Sequence, residues 1–311
     1  MKYLFGPVNS RRLGISLGID LLPYKTCSLD CIYCECNKTT NLTAQIDEYV
    51  PTEDVIAEIN HFLHNKPKLD VITFAGSGEP TLHSGIGKII RFLKKSYPQY
   101  KICILTNSTL LNIKKIRKSI LDADIIVPSL DAASKEIFEK ITRPAKEITV
   151  EKIIESLIAL RKEFKNTLIL EIFIVPGLND NERELNLIKN AIEKISPDYV
   201  QLNSLDRPGT EKWIKSASAE TLLQIKAFLE PLKVEIVSMP KSGENVSPKT
   251  FTNITDILVS TLSRRPSTLD DLIISTGISR DELLKTLHDL SDKGRIEEER
   301  ISRGIFYKVK K

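Results

Sequence analysis

The ten residues CSLDCIYCEC, positions 27–36, hold four of the chain's five cysteines: Cys27, Cys31, Cys34 and Cys36. Thiolates spaced C-x3-C-x2-C on a loop can converge on one metal centre. Four ligands would suit a structural zinc or a closed iron–sulfur cluster. Three leave one iron of a [4Fe–4S] cube without a protein thiolate, and so open to a small molecule. Spacing alone leaves zinc standing as the alternative. The short step from Cys34 to Cys36 makes it awkward for both to grip one cube, although alternate residues of an extended loop can point the same way. An odd number of cysteines without an apolar leader argues against a disulfide framework, so a reducing cytoplasm is the expected compartment.

Around this loop the 311 residues alternate strand-like and helix-like segments. Apolar, β-branched runs fall at Ile15–Leu22, Leu69–Ala75, Lys101–Thr106, Asp124–Ser129, Thr167–Val175, Tyr199–Asn203 and Lys233–Val237. Helical patterns lie between them at Thr52–His64, Gly85–Tyr97, Asn112–Ile120, Val150–Phe164, Asn181–Ile195 and Ala219–Leu229. Thr52 and Asp180, each followed by acids, are the expected N-caps of their helices. Such alternation predicts right-handed βαβ units and a parallel sheet, here a partial (β/α)6-type TIM-like barrel over residues 1–240. In barrels of this kind function gathers in the loops after the strands. The polar oddities fall there: CSLDCIYC, GSGEP, TNS, SLDAAS, VPGLND and NSLDRPG.

The aromatic residue before the third cysteine sharpens the reading. C-x3-C-x-aromatic-C, followed by those loops in order, resembles the radical S-adenosylmethionine (radical SAM) superfamily. The resemblance implies a [4Fe–4S] cluster on Cys27, Cys31 and Cys34, with SAM on the fourth iron. It further implies that Gly78 lets the backbone approach SAM's methionine while Glu79 anchors its loop. Thr106 and Asn107 become candidates for the methionine carboxylate or ribose, and Ser129 and Asp131 for the ribose hydroxyls. Tyr33, Val175 and Gly177 would flank adenine through their backbones. SAM would be cleaved reductively to a 5′-deoxyadenosyl radical that takes hydrogen from a substrate, with flavodoxin or ferredoxin as electron donor. The opening FGPVNSRRLGISLGID is similar to a group placed with the 4-demethylwyosine synthase-like iron–sulfur oxidoreductases. Their extra cysteines are missing, since Cys103 reads as a core thiol, so their condensation chemistry is not carried over.

Cys36 is left as a candidate substrate-facing thiol. Arg11, Arg12 and Arg143 could form a basic rim for an anionic substrate, while His83 reads as structural. A turn-rich linker at 241–250 precedes a helix–helix–helix–hairpin pattern over 251–311, the layout of a winged helix-turn-helix. Eleven Lys and Arg against ten Asp and Glu from Phe251 to Lys311, with acids opening the third helix, disfavour DNA. A peptide, a protein partner, the barrel itself, or tRNA reached through Arg295, Arg300, Arg303 and Lys308 fits that unit better. No membrane segment is expected. Two readings follow: an enzyme acting on tRNA, a peptide or a small metabolite, and an iron–sulfur regulator in which the tail reports SAM or redox state. An assay for 5′-deoxyadenosine separates them.

Overall fold

Strands in this chain are short and rich in Ile, Val and Leu because both faces of the parallel sheet are covered. The computed structural model describes residues 1–10, 12–237, 254–301 and 304–310. Arg11, Arg303 and the expected linker at 241–250 lie outside them. β1 (Leu4–Ser10) runs antiparallel to β2 (Gly14–Ile19). The two-residue strands β3 (Thr26–Cys27) and β4 (Asn41–Leu42) pair in the loop that follows. Then α1 (Thr52–Leu63) leads to β5 (Val71–Phe74), α2 (Ile86–Ser96) to β6 (Lys101–Thr106) and α3 (Lys114–Ser119) to β7 (Ile125–Pro128). Two helices, α4 (Lys135–Thr142) and α5 (Val150–Glu163), precede β8 (Thr167–Ile174). Finally α6 (Glu182–Ile195) precedes β9 (Tyr199–Ser204), and α7 (Ala219–Phe228) precedes β10 (Val234–Ile236).

The sheet order is β1-β2-β5-β6-β7-β8-β9-β10, and every neighbour pair from β2 onward is parallel. Six βα units closed by the short β10 make a partial barrel. Among the described residues its edges, β1 and β10, are not paired with each other. Alternation along β8 sets the layers. Leu168, Leu170 and Ile172 join the main core under the helices, while Ile169 packs inside the barrel with Val71, Cys103 and Val127. Above that apolar floor the interior turns polar. Ser16 bonds Thr73 at 2.7 Å, and Glu171 of β8 receives the Arg12 guanidinium. Arg12, expected on a basic rim, thus turns into the barrel to pair with Glu171.

Beyond residue 253, α8 (Ile254–Arg264), α9 (Leu269–Thr276) and α10 (Arg280–Asp292) surround a separate core of Leu258, Leu262, Leu272, Leu283, Leu287 and Leu290. β11 (Ser267–Thr268), β12 (Ile296–Ile301) and β13 (Gly304–Val309) form a three-stranded antiparallel sheet in the order β11-β13-β12. Helices α8 and α9 pack on β1, covering an edge strand. No described helix is long and apolar enough to cross a membrane.

Two expected caps move by one residue. Pro51, not Thr52, precedes α1 without a side-chain cap, and Glu48 accepts from the Thr52 amide at 2.9 Å instead. Asn181 caps α6, because the Asp180 carboxylate is already taken by the Gly177 amide at 2.8 Å. Strand β1 and helix α4 were not foreseen: Gly6-Pro7 reads as a turn but forms an irregularity within the strand pair. The loop before α4 is fixed from a distance. Glu184 of α6, 2% exposed, accepts from the Ala133 and Ser134 amides at 2.6 and 3.0 Å and from the Ser134 hydroxyl at 2.5 Å. Glu184→Ala strands those donors and is expected to cost about 1–3 kcal/mol in urea denaturation. Glu184→Gln, which keeps an acceptor, should cost less than half as much.

Candidate functional site

The loop after β2 is tied down on every side. The Asp30 and Ile32 amides bond the Thr142 and Ile141 carbonyls at the end of α4, both at 2.9 Å. Glu211 donates its amide to Ile32, and Thr210 its hydroxyl to the Cys34 carbonyl at 3.1 Å. Arg143, the left-handed C-cap of α4, is ion-paired with Glu211 at 2.6 Å, so it clamps this loop. All five cysteines are free thiols, and Cys27, at 8% exposure, is the most enclosed of the four in the loop. Among the described residues no three Cys, His, Asp or Glu side chains are drawn tightly enough together to grasp a single ion. The buried Lys25 ammonium lies among the thiols instead.

Electrostatics follow from that arrangement. Burial works against the Lys25 ammonium, yet the sulfurs of Cys34, Cys27 and Cys36 hold its pKa above the ordinary lysine value. Burial pushes the Cys27 thiol up to about 11 and holds Cys31 well above its ordinary value. A hydrogen bond from Cys36, aided by Lys25, outweighs burial at Cys34 and brings it down to about 6. Donating that bond raises Cys36. Cys36 also reaches the Gly76 carbonyl at 3.5 Å. Cys27, Cys31 and Cys34, each of which feels the Lys25 charge, are a suitable donor set for an iron–sulfur cluster. The Asn107 side-chain amide, donating to the Cys27 sulfur at 3.5 Å, adds the kind of bond that tunes one.

The GSGEP loop is locked to the next strand by Glu79. Its carboxylate, 2% exposed, accepts from the Thr81 amide and hydroxyl, the Thr106 hydroxyl at 2.7 Å and the Asn107 amide at 2.6 Å. Burial raises its pKa against those bonds. Asn107 continues the chain of contacts to Ser28 at 2.9 Å as well as Cys27. Gly78 has a structural reason beside any ligand: a Cβ there would stand 1.7 Å from the Thr26 carbonyl oxygen.

Farther round the mouth, the Asp131 carboxylate, 5% exposed, accepts from the Tyr33 hydroxyl at 2.5 Å and the Phe173 amide at 2.8 Å. The Tyr33 ring stacks on Phe173, centroids 3.8 Å apart. Ser129, Asp131, Tyr33 and Asn107 line one small cavity of about 30 Å³. The Val175 amide and carbonyl are both used, by the Asn179 side chain at 2.8 Å and the Leu178 amide at 3.0 Å. Gly177, at φ +80°, faces open space. The positions singled out in the sequence thus meet at one end of the barrel, but Thr106, Asp131 and Val175 spend their polar groups on the scaffold. His83 is fully buried between the Val50 carbonyl and the Gly85 amide. Cys103 sits in the barrel floor, pushed up to about 12 by burial.

Sequence reasoning passed over Lys25, Asp20, Arg207 and Arg264. Lys25 had a local signal, standing two residues before the first cysteine. The other three come together only in space. The Asp20 carboxylate accepts from Ser77 of the GSGEP loop at 2.6 Å and from Arg264 of α8 at 2.9 Å.

Burial moves the Asp131 pKa from 3.8 up to about 6, with its two hydrogen bonds opposing. Between those values the folded chain keeps a proton that the unfolded chain has released, so this residue's contribution to stability falls as pH rises. Asp131→Asn cannot ionise. Its melting temperature relative to the unmodified protein should therefore climb from pH 4 to pH 6, corresponding to at most about 3 kcal/mol.

A family model described as the radical SAM superfamily matches residues 21–187. A UPF0026 protein of Methanocaldococcus jannaschii is 30% identical over 93% of this chain and 91% of its own length. A Brachyspira hyodysenteriae protein named GTPase Obg is 34% identical over 99% of this chain, which spans only 45% of that protein. Among solved structures, a radical SAM methyltransferase from Sphaerobacter thermophilus superposes with a TM-score of 0.57 at 14% identity, over 71% of this chain and 66% of that one. At that identity the likeness is one of fold.

Proposed function

Because this chain belongs to the radical SAM superfamily, we propose that Cys27, Cys31 and Cys34 are the protein ligands of its [4Fe–4S] cluster and that the barrel mouth around them binds SAM. The observation that carries this reading is the unbroken contact path from Glu79 through Asn107 to the Cys27 sulfur, which joins three separately recognised loops. When bound, the cluster and SAM supply one-electron chemistry: reductive cleavage of the sulfonium to a 5′-deoxyadenosyl radical that abstracts hydrogen from substrate. Lys25 holds positive charge beside the thiolates and so offsets the negative charge of a thiolate-bound cluster. Asn107 orients Cys27 by its hydrogen bond. Glu79 fixes the GSGEP backbone so that Gly78 and its neighbours present donors without reorganising. Tyr33, Phe173 and Asp131 wall off the far side of the mouth, where the adenosine end of SAM would lie.

An enzyme of this superfamily needs a reductant, and a flavodoxin or ferredoxin is the proposed donor. The C-terminal unit is proposed to be a winged helix working with the barrel. Its third helix opens with Asp281 and Glu282, a poor start for phosphate contacts, whereas α8 reaches the barrel through Arg264.

Anaerobic reconstitution followed by iron and sulfide analysis, and assay of 5′-deoxyadenosine under dithionite, tests the assignment. Cys27→Ala, Cys31→Ala and Cys34→Ala should each lower cluster content and SAM cleavage at least tenfold. Cys36→Ala should retain the cluster. A triad variant that keeps both full iron content and SAM cleavage would sink the ligand assignment.

A further inference from the structure

We propose that the surface around Trp213, in the loop after β9, is where a small acidic electron-carrier protein docks to deliver the electron that the cluster needs. This deepens the radical SAM reading and rests on it. One electron leaves the carrier, oxidising it, and reduces the bound cluster; no atom is transferred.

Electron transfer weakens exponentially with distance, so a donor has to dock close to the loop that holds the receiving centre. The segment after β9 is packed directly on that loop. Thr210 donates its hydroxyl to the Cys34 carbonyl at 3.1 Å, and the Glu211 amide bonds the Ile32 carbonyl at 3.0 Å. A Cβ on Gly209 would stand 3.0 Å from the Tyr33 carbonyl oxygen. Ile214, 6% exposed, is buried in the same apolar cluster as Ile32 and Phe173. Beside it Trp213, the chain's single tryptophan, is turned outward at 56% exposure. Three residues from Thr210, it lies at most about 11 Å along the chain from the contact with Cys34.

The charges select the partner. Lys212 and Lys215 flank Trp213 and are exposed, and among the described residues neither is ion-paired. The acids nearby are already matched: Glu211 by Arg143 at 2.6 Å, Asp206 by Arg207 at 3.6 Å and Glu299 by Lys308 at 2.8 Å. A hollow of about 670 Å³ opens on the same loop, lined by Leu205, Pro208 and Ile214 together with Lys212 and Lys215. An exposed indole and an apolar hollow rimmed by lysines offer contact area at the centre and steering for an acidic surface at the edge. Electron-transfer encounters bury little area, below about 1,200 Å² in total, so a patch of this size suffices. A nucleic acid strand needs a continuous basic groove, which two lysines among paired acids do not make.

Oxidised flavodoxin and oxidised ferredoxin are titrated calorimetrically into the reconstituted full-length protein at low and high salt. Formation of 5′-deoxyadenosine is then driven in parallel by the reduced carrier and by dithionite. At least one carrier should bind, more weakly as salt rises. Trp213→Ala and the double variant Lys212→Glu/Lys215→Glu should each weaken that carrier at least tenfold and slow carrier-driven cleavage at least tenfold. Cluster absorbance and dithionite-driven cleavage should stay within twofold, because all three side chains are exposed. Binding of neither carrier, unchanged affinity in the variants, an equal fall with dithionite, or RNA bound at Trp213 that the carrier does not displace would each overturn the docking site. Absence of dithionite-driven cleavage in the unmodified protein would strike the radical SAM reading itself, and the docking site with it.

Discussion

Four hydrogen bonds to one buried carboxylate hold this site together. Glu79 sits at 2% exposure and accepts from Thr81 twice, from Thr106 and from Asn107. A carboxylate placed in a core costs several kcal/mol unless its oxygens are satisfied, and here they are satisfied by two different loops. The GSGEP loop therefore cannot move independently of the end of β6. Since Asn107 also reaches Cys27 and Ser28, the cysteine loop is drawn into the same unit. Preorganisation in this chain comes from carboxylates and amides facing one another across strand ends, with Asp131 and Glu184 repeating the device farther round the mouth.

A second layer of polar contacts joins the barrel to its C-terminal unit. Asp20 at the end of β2 accepts from Ser77 and from Arg264, so the loop carrying Gly78 and the helix α8 share one anchor. Asp271 both closes the capping box of α9 and faces Arg207 from the barrel side. The tail is thereby a wall of the mouth. One of its acids, Asp271, faces an opposite charge on the barrel, while Asp270, Asp289, Glu297 and Glu299 pair with cations of the unit itself.

Much of the barrel was legible because period-2 and period-3.6 patterns report burial, and burial is what the parallel sheet imposes on its strands. The six βα units follow from that pattern within one or two residues at most ends. The caps of α1 and α6 shifted because the Glu48 carboxylate, four residues upstream, accepts from the Thr52 amide, and because the Gly177 amide occupies the Asp180 carboxylate. Strand β1 was hidden by Gly6-Pro7, and its place is secured by pairing with β2 and by the cover of α8 and α9, which no local window contains.

The amino-acid sequence by itself determined the C-x3-C-x2-C spacing, the order of the loops and hence the family, because a cysteine loop and its flanking strand ends are written in consecutive residues. It also fixed how the thiols differ in kind, three at cluster spacing and one beside them. Only the tertiary structure decided what surrounds them. Arg264 meets Asp20 across 244 positions, and Arg207 meets Glu35 across 172. Asp131, expected at a ribose, accepts from Tyr33 and Phe173, which lie 98 and 42 positions away. Such contacts depend on long-range packing that brings helix faces against strand ends, and charge partners so far apart in the chain leave no periodic trace.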